Sequence, residues 1–342
     1  MINTVRNTVL SVLNKNNYGY LSPSDFNLFA KQAQLDIFES YFSQYNYQIN
    51  KENARQSGTG IADLAKSIEE SMDLFSVTEG LFLDNQAPSL AGSYQMPSAT
   101  TTGSDYYLVN KVLVYKDIIT SGTTDALFAF PTTLEDASAT FLTDGIVAGD
   151  IVAIQTTGAG GVVEGVMYVL VSSVVNDNEI ELSQGVIFAG LLPYTIIKAG
   201  TQQNEAEKVS HSKITMLNNS IYTAPSPTYP AYTVGRSTGT AIVNGSEDSM
   251  LQISPDTISS AGRVIAQYFR YPRDPNWTYI ELTNGEPIFN QSDAQYQDFE
   301  IPLDDENNLT MKILQYAGVS IREVAVNEFA NGEETKENQQ EG

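Results

Sequence analysis

The sequence predicts an α+β protein whose helices come from the two ends of the chain and whose strands lie between them. Three observations support this. The first ninety residues carry helix-start signals and long apolar spacings. Residues from Tyr106 to about Tyr279 change to short runs of β-branched and aromatic residues broken by turns. Helical spacing then returns near the C-terminus. The expected division is a discontinuous helical domain over 1–90 and 290–342, a linker or extended arm over 84–105, and a β-rich domain over 106–289.

The helical start is read from "SPSD". Ser22 is the N-cap, Pro23 takes the first helical position, and Asp25 sits near the positive end of the helix dipole. The helix is expected to run to about Asn50. At 100° per residue, Phe26, Ala30, Ala33, Ile37 and Tyr41 form one apolar seam. Leu28, Leu35, Phe42 and Ile49, with Phe38 and Tyr45 beside them, form a second seam nearly opposite. A surface helix of a monomer shows one stripe, so two seams need partners on two sides. Those partners are either the rest of the same chain or a neighbouring subunit. A second helix is expected from about Ile61 to Phe75. The stretch from Asp84 to Asp105, rich in Pro, Ser, Thr and Gly, reads as the linker.

In the β region, "DGIVAGDIVAIQ" reads as a turn and a strand, and "VMYVLVSSVVNDNEIELS" as strand, tight turn at Asn176–Asn178, strand. Together they suggest a small antiparallel barrel or sandwich over about 141–199. Further strands are expected at "KITML", "AIVNG", "MLQIS" and "VIAQYFRY". The Pro-Tyr loop from Tyr222 to Tyr232 cannot lie inside a sheet. Near the end, acidic residues open a helix with Leu309, Ile313, Tyr316 and Ala317 on one face and Gly318 as C-cap. Ser320 and Glu323 suggest a capping box for a last short helix.

Composition excludes several functions. The chain has 342 residues, 41 acidic against 18 basic, and a net charge of −23. Tight phosphate binding needs clustered cations, so neither nucleic acid nor an anionic membrane is an expected partner. No cysteine is present, which removes disulfides and thiolate chemistry. The single histidine, His211, lacks an accompanying "GxSxG" elbow and reads as a surface or strand-edge residue. "TTGAGGVVEG" lacks the ending of a phosphate loop, and the acids of "LDDEN" suit a helix start. No catalytic, cofactor-binding or metal-ligating set is therefore expected.

"YFRYPRDPNWTY", Tyr268 to Tyr279, holds the only tryptophan of the chain. Trp, Tyr and Arg dominate interface hot spots, whereas large aromatics are also usually buried. Trp277 is thus either a contact residue or core at the β–α junction.

Two segments carry a resemblance. "FNLFAKQAQLDIFESYFSQYN" resembles the N-terminal helix of virion structural proteins from crAss-like and related short-tailed bacteriophages. "YFRYPRDPNWTY" and "DAQYQDFEIPLDDENNLTMKILQYAGVSIREVAVNEFA" resemble their C-terminal signature, an aromatic-proline strand leading through a "DFE-P" turn to a helix. Similar endings occur in head-to-tail connector proteins that form rings below the portal. The central β region carries no such likeness.

The resemblance implies a non-enzymatic neck or tail-ring subunit without cofactor, in a homo-oligomeric ring, roughly twelve-fold. Its partners would be the portal and neighbouring tail-ring proteins. Double-stranded DNA would pass through the lumen without specific binding. The expected subunit interface is Leu28, Leu35, Phe38, Phe42, Tyr45, Ile49, Tyr271, Trp277 and Tyr279. The implied location is the virion, after synthesis in the host cytoplasm. The rivals are a head decoration or tail-fibre attachment protein, with the β module as binding element, and, last, a glycan-degrading enzyme.

Overall fold

The computed structural model describes residues 1–13, 21–53, 64–83, 92–98, 104–125, 132–157, 163–186, 191–236, 249–283 and 287–321. It is a mixed α+β protein with antiparallel sheets. The chain divides into two compact units, one of Met1–Ser76 with Tyr271–Gly342 and one of Val77–Arg270. The boundaries therefore fall near 76 and 270, not near 90 and 290.

The first unit opens with three helices, α1 (Ile2–Leu13), α2 (Pro23–Asn53) and α3 (Leu64–Asp73). In α1, Ile2, Val5, Val9 and Leu13 recur at helical spacing and are all buried. The start of α2 is the one its sequence predicts. The Ser22 hydroxyl accepts from the Asp25 amide at 3.1 Å and donates to the Asp25 carboxylate at 2.6 Å. The helix runs three residues beyond Asn50.

Among the described residues, the second unit contains three sheets. Its early strands are β1 (Ser76–Gly80), β2 (Phe82–Leu83), β3 (Ser93–Gln95), β4 (Tyr106–Tyr115), β5 (Ile118–Thr123) and β6 (Thr133–Glu135). Then come β7 (Ile151–Thr157), β8 (Val163–Asn176), β9 (Glu179–Leu182), β10 (Pro193–Ile197), β11 (Gln203–Glu205) and β12 (Glu207–Lys208). A short helix, α4 (His211–Asn218), precedes β13 (Ala231–Arg236), β14 (Ser249–Ser254) and β15 (Val264–Arg270).

Two of these sheets, ordered β1-β15-β4-β11 and β12-β13-β14-β3-β2, enclose one core that includes Tyr94, Val112, Leu251, Ile253, Val264 and Tyr268. In β4 the register slips at Asn110, because Val109 pairs with Tyr268 and Lys111 with Gln267. That extra residue, a β-bulge, is why Val109 and Val112 both point inward three positions apart. β3 corrects the linker expected at 84–105. Tyr94 is fully buried and its strand lies between β14 and β2, so part of a Pro/Ser-rich stretch is sheet interior.

The third sheet, β5-β10-β7-β8-β9-β6, is a half-barrel around Leu134, Val152, Ile154, Val171, Ile180 and Ile196. The long β8 pairs with β7 through its first half and with β9 through its second. Between the two edge segments, the Asp125 amide donates to the Glu135 carbonyl at 2.9 Å. The sheet begins at β5, before the expected 141. The turn predicted at 176–178 also holds the loop before it. Asn178 donates to the carbonyls of Asp136, Ala137 and Ala139, and Asp177 accepts from the amides of Leu142 and Thr143.

"KITML" is helical, not a strand, because Ser210 caps α4 by accepting from the Lys213 amide at 3.3 Å. His211 is consequently the first, exposed residue of a helix. The expected strand "AIVNG" and, beyond its first residue Ile321, the expected last short helix "IREVAVNEFA" lie outside the described residues.

The chain then returns to the first unit with a hairpin, β16 (Tyr279–Glu281) and β17 (Pro287–Phe289), and α5 (Glu306–Ile321). Leu309, Ile313 and Ala317 face inward as expected. Gly318 does not end the helix, which continues to Ile321 with Gly318 buried. Burial of Leu314 and Ala317 beside it outweighs the weak helix propensity of one glycine, about 1 kcal/mol. Ser320 is helical and so is not an N-cap.

Candidate functional site

The candidate site is the outer flank of α2 together with the aromatic return segment. The first seam of α2 is fully used within the unit: Phe26, Ala30, Ala33, Ile37 and Tyr41 are all 5 % exposed or less. Two tyrosine–aspartate hydrogen bonds tie α2 to α5 and the 3-10 turn before it, one from Tyr41 to Asp305 of the turn and one from Tyr316 of α5 to Asp36. Burial first, and the Asp305 carboxylate second, push the Tyr41 phenol well above its ordinary pKa.

The second seam is split. Phe38 is fully buried, edge-on to Phe75 at 4.9 Å and to Phe42 at 5.2 Å, and tilted against Tyr271 at 5.8 Å. It is thereby removed from the expected subunit face, since Phe75, just after α3, and the return segment cover it. Leu35, Phe42, Tyr45 and Ile49 are partly buried, as is Tyr271. Leu28 is 63 % exposed, and Tyr47, not singled out by its sequence, is 55 % exposed. Around Leu28 the open face of the helix carries Gln32, Glu39, Ser43 and Asn46.

Trp277 is also an interior residue, 2 % exposed. The Arg6 guanidinium lies 3.8 Å from its ring centroid, and Tyr279 and Phe289 stack on it at 5.7 and 5.9 Å. Its indole N–H donates to Asn3 at 3.1 Å, and its amide donates to Asn27 at 2.9 Å. Tyr279 is the exposed member of the stack, at 40 %, and Phe289 is partly buried.

Sequence reasoning missed the polar clamps that hold this segment. Gln34, 1 % exposed, donates to the Arg273 carbonyl at 2.8 Å and accepts from the Glu300 amide at 3.0 Å. Asp298 accepts from the N-terminal ammonium at 3.1 Å and from the Ile2 and Phe299 amides at 2.8 Å each. Burial alone would raise the Asp298 pKa; the donors from Ile2, the N-terminal ammonium and Phe299 outweigh it and leave the carboxyl below its ordinary value. The signal for Asn27 and Gln34 was available, since both sit beside the first seam of α2, where a buried polar side chain needs a partner.

Among the described residues, no group of three or more His, Asp or Glu is placed to hold a metal ion. The buried acid Asp136 is held by structure. Burial pushes its pKa up, but donors from Ser138 and Tyr194, with the Ser138 and Ala139 amides, bring it below the ordinary value. No described helix is long and apolar enough to cross a membrane. No protein-family model matches the chain, and no curated protein matches it.

Proposed function

We propose that the chain is a non-enzymatic structural subunit of a bacteriophage head-to-tail connector or tail ring. In this reading the discontinuous helical domain forms the ring by lateral packing, and the β domain contacts neighbouring rings. The ring, roughly twelve-fold, joins the portal to the tail in the virion. The observation that carries the reading is the open flank of α2, where Leu28 stands exposed in line with the partly buried Leu35, Phe42 and Ile49, while Tyr47 stands exposed about a quarter-turn round the helix. With Phe38 internal, the lateral contact is narrower than the full second seam. The −23 charge, repeated around a ring, lines a passage that repels DNA and lets it slide.

Leu28→Asp with Tyr47→Asp tests this directly, because both side chains are exposed and the fold does not depend on them. Velocity sedimentation and negative-stain imaging of the wild type should show rings, and the double variant should sediment as monomer with an unchanged circular dichroism spectrum. Wild-type assemblies persisting in the variant would remove this flank from the interface.

A second reading, a head decoration or tail-fibre attachment protein of the virion, rests on the half-barrel. Leu142, Val147, Leu170, Val175 and Leu191 are each about half exposed or more there, an apolar display that suits a partner surface.

A further inference from the structure

The β unit contains an open groove of about 830 Å³, within the usual size range of small-molecule sites. One wall is the run from Glu205 to Lys208, where the chain passes from the edge strand β11 of one sheet to the edge strand β12 of the next. The other is the Pro-Tyr loop from Tyr222 to Pro230, and Asn110, at the β4 bulge, also lines the groove.

The loop is fixed in place. Ser226 and Tyr229 exchange backbone hydrogen bonds at 3.2 and 3.0 Å, and the Ser226 hydroxyl accepts from the Tyr229 amide at 3.2 Å. Asn204 donates to the Pro227 carbonyl at 3.1 Å. On this loop Tyr222 is 99 % and Tyr229 79 % exposed. Two aromatic faces shown to water on one ordered loop offer a surface on which a flat ligand face can stack.

The rest of the lining defines what that is. Glu205, Glu207, Lys208 and Lys213 supply two negative and two positive charges, which cancel locally in a chain of net −23. Glu207 and Lys213 pair at 3.2 Å. A locally neutral wall suits neither a phosphate nor a polycation. Among the described residues of the lining, Leu217 is the only long aliphatic side chain, too little for a lipid or an apolar helix. Ring faces interleaved with closely set donors and acceptors match a neutral polyhydroxylated ligand. We propose that this groove binds a neutral polysaccharide. The C–H faces of successive sugars stack on Tyr222 and Tyr229, and sugar hydroxyls bond to Glu205, Lys208 and Asn110. The step is binding alone, with no bond broken, and it does not rest on the ring reading.

The test uses the full chain with maltohexaose, cellohexaose, chitohexaose and mannohexaose, followed by saturation-transfer NMR and titration calorimetry up to about 10 mM ligand. At least one sugar should bind. Tyr222→Ala with Tyr229→Ala should weaken it by about tenfold or more without changing the melting temperature, as expected for lost stacking. The proposal is overturned if none of the four binds, or if binding survives the double variant. It is also overturned if the double variant loses only self-association or a protein contact, which would make the tyrosines a protein interface. The α2 variants report on the ring separately, so the two readings fail independently.

Discussion

Trp277 shows how a single residue organises the first unit. It packs Arg6 of α1 on its ring, takes Asn27 of α2 through its backbone, and stacks with Tyr279 and Phe289 of the returning hairpin. Trp277→Ala removes that shared filling and should cost about 3–5 kcal/mol in a urea titration followed by circular dichroism. As the only tryptophan, it also makes intrinsic fluorescence a reporter of this unit in the unaltered chain. A loss below about 1 kcal/mol would show that the site is loosely packed. Asp298 has a different signature. Its folded pKa lies below the ordinary value, so the unfolded state binds the proton more readily. The stabilisation is complete above the unfolded pKa and is lost as pH falls through the lower folded one. The difference in melting temperature between wild type and Asp298→Asn should be widest near neutral pH and close below about pH 4. A gap independent of pH would contradict the ion pair.

At the scale of elements, what the sequence revealed depended on whether a signal was local. The start of α2 was legible because Ser22, Pro23 and Asp25 act within one turn. β7, β8 and β9 were legible because alternation and the Asn-rich turn lie side by side in the chain. β3 was not, since a three-residue strand is made by pairing with β14 and β2, far apart in sequence. The fate of the second α2 seam was hidden for the same reason. Periodicity shows that Phe38 is apolar, not that Phe75 and Tyr271 will cover it. "KITML" misled because β-branched residues outweighed Ser210, a cap whose effect is small but local. That cap is testable. α4 buries none of its side chains, so it leans on its cap. Ser210→Ala should lower amide exchange protection in α4 by the equivalent of about 1 kcal/mol, with no change in global melting. Unchanged protection would mean that contacts with β13, not the cap, hold the helix.

At the scale of the molecule, the half-barrel is one continuous insertion. β5 to β10 lie between β4 and β11, which pair with each other from Tyr115 opposite Gln203. The neck is closed by the Lys116 amide donating to the Gln202 carbonyl at 3.1 Å. The two apolar cores of this unit share no residue, since the half-barrel core draws only on the insertion and the other core on none of it. Among the described residues the links across include two hydrogen bonds of Gln155 to the Leu83 backbone at 3.3 and 3.0 Å, one from Tyr168 to the Gly262 carbonyl at 2.9 Å, and close packing of Gly262 against Ala153 and of Tyr168 against Tyr115 and Gly80. Replacing residues 117–201 by an Asn-Gly turn should therefore turn β4 and β11 into a hairpin. The backbone groups that lose Gln155 and Tyr168 are then left to water, at a cost of about 1 kcal/mol each. The shortened chain should unfold in one cooperative transition and still assemble as the wild type does under the ring reading. Assembly retained with attachment of a second virion component lost would instead assign the half-barrel the binding role. A shortened chain that binds hydrophobic dye and melts without cooperativity would show that the two cores, though separate in composition, fold only together.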